Sequence, residues 1–214
     1  MASHPAGHLA AHPLPPGIVG ALGLGGYQLL ADVAGVGAGR LGSQAFLLIA
    51  PDPDPALPEA GTQIALHHTR LRDDAQAAAF VSLAARLGYL RLSGYRLALE
   101  RHGLRSRVSL VDPATGQIAA QIPDKHPGGL FSRGGGAGSA SGLLSAMRTL
   151  PAAGPPPDTS RPELVREALL ALALADESVG GAEAAGLADQ ALEFTRGDAA
   201  LDPPAALEAA KSQR

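Results

Sequence analysis

Cysteine is absent from the 214 residues, which removes disulfides, thiolate metal sites and a thiol nucleophile together. Tryptophan is absent as well, and aromatics amount to 3%, so large core-filling side chains are few. The 27 Gly and 18 Pro then point to small ordered cores separated by disordered tracts. There is no asparagine, and lysine occurs only at Lys125 and Lys211, so arginine supplies nearly all the positive charge, a bias that suits a GC-rich bacterial genome. Net charge of -3 exerts no overall pull toward nucleic acid or an anionic membrane. No apolar run is long enough to span a bilayer: the stretch from Gly17 to Ala31 is short of the ~20 residues required, and Asp32 interrupts it. Ahead of it stand His4, His8 and His12 but no Lys or Arg, so no cleaved signal peptide is expected.

What is present divides the chain. Residues 1–61 are rich in Gly, Ala and Pro and end in "PDPDPALPEAG", whose prolines forbid a continuous helix; the region is expected to be largely disordered or loosely helical. Between 62 and 131 the pattern becomes regular. Asp73 and Asp74 sit where an N-cap belongs, and Phe80, Leu83, Ala84 and Leu87 recur at helical spacing, predicting an amphipathic helix over 74–89. Tyr95, Leu97 and Leu99 alternate with polar neighbours, as do Leu104, Ser106, Val108 and Leu110 after the "RHG" turn, and Ile118, Ala120 and Ile122 after "DPATG". Pro123 ends that last strand because it has no N–H to donate. Residues 132–158 read as a Gly/Ser/Pro linker. Residues 159–197 read as an acidic helical hairpin, with Ser160 and Glu163 forming a capping box around Pro162 and Gly180-Gly181 breaking the run; 198–214 read as a tail. The expected fold class is therefore α+β: an amphipathic helix packed on a three-stranded antiparallel β-meander, plus a C-terminal helical hairpin and disordered segments.

The polar cluster Asp112, Pro113, Thr115 and Gly116 has the composition of a tight turn: Asp accepts a backbone hydrogen bond, Pro fixes φ and Gly tolerates positive φ. No second carboxylate or Lys stands close by in sequence, so the cluster reads as structural. On the strand that follows, Ile118, Ala120 and Ile122 are expected to face the helix. Gln117, Ala119 and Gln121, with Pro123 at the end, are then left as an outward interaction strand.

The helix, the hairpin and the run Leu110-Val-Asp-x-x-Thr-Gly-x-Ile-x-x-Gln-Ile-Pro123 resemble the FlaG family of small bacterial flagellar proteins, over about residues 73–124. The resemblance implies a non-enzymatic accessory of filament assembly or length control. Flagellin or filament-cap components would be its partners, the flagellum or the cytoplasm its location, and it would use no cofactor.

Other patterns compete with this reading. Gly37, Gly39 and Gly42 in "GAGRLG" have G-x-G-x-x-G spacing, which in a nucleotide-cofactor enzyme would need a preceding strand, a helix opening at the glycines and an acidic residue on the next strand. The next candidate strand ends in His67 and His68 instead, each read as facing one side of a strand or loop. His4, His8 and His12 lie at one helical face and could chelate a metal, but Pro5 and Pro13 oppose the helix. Charge is also uneven. Eight Arg lie between Arg70 and Arg107, which suits a basic nucleic-acid-binding module, yet the strands lack base-stacking aromatics and nucleic acid is not expected. Residues 158–208 carry eleven acidic groups.

Overall fold

Chain reversal at Ala34-Gly35 starts the first sheet of the computed structural model, which describes residues 27–50, 52, 65–70, 74–102, 105–122, 140–151, 153, 160–197 and 201–214. Ala34 (φ +51°) and Gly35 (φ +77°) both take positive φ, as a two-residue hairpin of matching twist requires. They join β1 (Tyr27–Val33) to β2 (Val36–Leu41); β3 (Gln44–Ile49) and β4 (Ala65–Arg70) follow. The result is an antiparallel sheet in the order β1-β2-β3-β4. The composition of 1–61 predicts a largely disordered or loosely helical region, whereas residues 27–49 form three strands. Val36 to Gly39 and Ala45 to Ile49 are buried at every position, so neither strand shows the polar/apolar alternation that marks a half-buried strand. The remainder of 1–61, apart from Ala50 and Asp52, lies outside the described residues.

α1 (Asp74–Leu92) crosses this sheet. The predicted stripe Phe80, Leu83, Ala84 and Leu87 is buried, and so are Ser82, Ala85, Arg86, Gly88, Tyr89 and Leu90, because strands, α2 (Ala140–Arg148) and α3 (Pro162–Ala175) surround the second half of the helix. A Cβ at Gly88 would stand 2.6 Å from the Val33 carbonyl oxygen, so only glycine lets α1 approach β1 this closely.

β5 (Arg96–His102), β6 (Arg105–Val111) and β7 (Ile118–Ile122) form the expected antiparallel meander. Leu97, Val108, Leu110 and Ile122 on its inner face join α1 in one core. Asp52 ties the two sheets together: its N–H donates to the Leu97 carbonyl at 2.9 Å, and its Oδ2 accepts from the Leu97 N–H at 2.9 Å, so it occupies the edge of β5 like one residue of a further strand.

Two expectations fail beyond β7. The 132–158 segment, read as a linker, contains α2 (Ala140–Arg148), whose Leu143 and Met147 are buried against α1 and β7. The 198–214 tail contains α5 (Pro203–Ser212), with Asp202 Oδ1 accepting the Ala205 N–H at 2.9 Å and Pro203 opening the first turn. α5 packs with α3 (Pro162–Ala175) and α4 (Ala184–Thr195) around Val165, Leu169, Leu187, Ala191 and Leu207, so the expected hairpin is a three-helix unit. α3 also packs along α1. The helix start falls one residue later than the predicted capping box places it. The residue before a proline is pushed toward extended backbone, so Arg161 rather than Ser160 is the N-cap, and it makes no side-chain cap bond. Among the described residues no helix is long and apolar enough to cross a membrane.

Candidate functional site

The loop after β6 is held by its own short-range chemistry. Asp112 Oδ1 accepts the Ala114 N–H at 2.8 Å, and the Asp112 carbonyl accepts the Gly116 N–H at 2.8 Å. The Asp112 N–H donates to the Gln117 carbonyl at 2.9 Å, and Thr115 Oγ1 accepts the Gln117 N–H at 3.3 Å. Gly116 sits at φ +69°, and Pro113 is exposed at the tip. Asp112 and Thr115 thus spend their polar atoms on the turn. Asp112 also acts at a distance: burial pushes the Tyr95 hydroxyl pKa up, and the Asp112 charge raises it further.

The strand leaving this turn departs from simple alternation. Leu110 pairs with Ala120 and Val111 with Ile118, so Ala119 is the extra residue of a β-bulge. The bulge moves Ile118 to the outer face, 52% exposed, which corrects the expectation that it faces the helix. Ala120 and Ile122 remain on the inner side and line the core with Leu97 and Leu110. Of the predicted outward residues, Gln117 is exposed, Ala119 is half-buried in the bulge, and Gln121 Nε2 donates to the buried Ser109 Oγ at 3.1 Å. Pro123 lies outside the described residues. Ile118 is the one large apolar side chain left exposed among the described residues.

A second feature, invisible in the sequence, is a cleft of about 580 Å³ where the β1–β2 turn, the end of α1, the start of β5 and α3 meet. Arg91 organises it. Its Nη1 donates to the carbonyls of Ala34 and Ala50 at 2.7 and 2.6 Å, and its Nη2 to Asp52 Oδ1 at 2.7 Å. From the other wall Glu167 Oε1 accepts the Ala34 N–H at 2.6 Å. A left-handed alanine costs on the order of 1 kcal/mol, and here both backbone polar groups of Ala34 are gripped by charged side chains. The charges in the cleft therefore brace a strained turn. Nothing in the spacing of Asp52, Arg91 and Glu167 announces their meeting, because they come from a proline-rich loop and two separate helices.

The glycine motif lies elsewhere and has another use. Gly37 and Gly39 sit inside β2, paired to both β1 and β3, and Gly42 opens the β2–β3 turn. No helix starts there, so the loop lacks the helix N-terminus that a pyrophosphate would need. Of the eight arginines between 70 and 107, Arg86 and Arg91 turn their guanidinium groups onto backbone carbonyls. His67 and His68 are successive residues of β4. His4, His8 and His12 lie outside the described residues, and among the described residues no three His, Asp or Glu are grouped to hold a metal. The chain matches no protein-family model, no curated protein and no solved structure.

Proposed function

We propose that the chain is a flagellar accessory protein that acts by protein contact in filament assembly or length control and catalyses no reaction. The observation that carries this reading is the outer edge of β7. Among the described residues β7 pairs with β6 alone, and its bulge presents Ile118 to solvent beside Gln117. A partner strand laid along such an edge gains main-chain hydrogen bonds and covers the exposed apolar side chain. The resemblance of residues 73–124 to the FlaG family supplies the setting, with flagellin or a filament-cap component as the partner. Neither competing reading draws comparable support: the glycine run is spent inside a sheet, and two of the arginines suited to phosphates are turned inward.

Deleting the gene in its host tests the reading. The expected result is altered filament length or swimming with flagellin still synthesised. Filaments of normal length together with normal swimming would overturn it.

A further inference from the structure

Four charged side chains line the cleft between the β1–β2 turn, the end of α1, the start of β5 and α3: Asp52, Arg91, Arg96 and Glu167. Two of them satisfy each other. Arg91 is closed off by the Asp52 carboxylate and by the carbonyls of Ala34 and Ala50. The other two are left over. Glu167 places Oε1 on the neutral Ala34 N–H, and its Oε2 has no partner among the described residues. Arg96 is exposed at the start of β5, and among the described residues its guanidinium makes neither an ion pair nor a hydrogen bond. A carboxylate and a guanidinium thus share one cleft without pairing with each other.

The cleft has the size and the walls of a ligand site. Its volume of about 580 Å³ falls within the ~300–1,000 Å³ usual for small-molecule pockets. Half-buried Leu92 and Leu164 add apolar surface beside the charges. Ala34 on its wall holds φ +51°, and strained residues other than glycine gather at ligand sites. Because Arg91 and Glu167 already brace that turn, little of the wall has to be ordered when something binds. A ligand of a single sign suits only half of the site: an anion drawn to Arg96 is repelled by Glu167, and a cation the reverse. A molecule carrying both charges answers both.

We propose that this cleft binds a small zwitterion with an apolar side chain, a free amino acid or a short peptide. Its carboxylate would sit on Arg96, its ammonium on Glu167 Oε2 and its side chain over Leu92 and Leu164. The site lies at the β5 side of the meander, across β6 from the β7 edge, and does not depend on the family resemblance.

The test is two-dimensional NMR of the full isotope-labelled chain, titrated with leucine in one arm and trileucine in the other. Saturable shifts of the Ala34, Gly35, Leu92 and Leu164 amides are expected in at least one arm, with a dissociation constant of about 1 mM or tighter. The tighter arm identifies amino acid or peptide as the source. The N-acetylated form of that ligand lacks the ammonium and its C-terminal amide lacks the carboxylate, so each should bind at least about tenfold more weakly. Glu167→Gln and Arg96→Gln should repeat the two losses from the protein side, and the glutamine oxygen at 167 can still accept the Ala34 N–H. No saturable shift in either arm would overturn the proposal. So would blocked ligands that bind the wild-type chain undiminished, a result that stands whether or not the variants fold.

Discussion

Gly88 and Gly116 are constrained in different ways, and substitutions at the two separate them. Gly116 needs its positive φ but has open space around it, so Gly116→Val costs about 1 kcal/mol of backbone strain. Gly88 lies against the backbone of Val33, so Gly88→Ala must push α1 off β1 and costs about 1–3 kcal/mol. Urea unfolding should therefore rank Gly88→Ala as the more damaging change, although it adds the smaller side chain; the reverse order would contradict the packing described. Gly116 was legible in the sequence because the Asp-Pro-x-Thr-Gly turn is made from neighbours along the chain. Gly88 was not, because its constraint comes from a distant strand. Asp176 is equally non-local. Burial pushes its carboxyl up, but hydrogen bonds from Lys211 Nζ, the Ser178 hydroxyl and the Ser178 N–H outweigh this and hold the pKa at about 2. An unfolded aspartate titrates near ~3.9. The depressed group thus stabilises fully above that pH and loses its contribution as pH falls toward its folded value. Asp176→Asn should cost on the order of 1 kcal/mol at neutral pH, given that both partners are partly exposed. The gap between variant and wild type should close between about pH 4 and pH 2; a gap that persists at the lower pH would contradict this origin.

At the scale of elements, what the sequence displayed depended on how much of each element faces solvent. The strands of the meander have one buried face, and Leu97, Val108 and Leu110 alternate visibly with polar neighbours. β2 and β3 are buried on both faces, and their run of small and apolar residues looked like low complexity. α5 carries a readable start signal, Asp202 followed by two prolines, within a segment whose composition reads as a tail. Its cap makes a clean test: Asp202→Ala removes the bond to the Ala205 N–H and should lower stability by about 1 kcal/mol, measured by thermal unfolding. An unchanged midpoint would mean that α5 is held by its apolar face alone. The bulge in β7 left no trace in the pattern, since Ile118, Ala120 and Ile122 alternate correctly on paper. It is produced by the pairing of Val111 with Ile118, a register set by the 112–117 turn.

At the scale of the whole molecule, two antiparallel sheets share α1, and Asp52 and Arg91 clamp the sheets to each other and to its end. The candidate cleft follows from that junction, and no local pattern could have revealed it. The edge of β7 belongs to the part that was legible, apart from the exposure of Ile118. The central claim is that this edge is where the protein meets its partner. Ile118 is half exposed, so Ile118→Asp should change stability by no more than about 0.5 kcal/mol. The most direct measurement is the distribution of filament lengths in a deletion strain carrying either the wild-type gene or Ile118→Asp, with both proteins present at equal levels. The wild-type gene is expected to restore the parental distribution, and Ile118→Asp to leave the deletion defect in place. Full restoration by Ile118→Asp would contradict the central claim.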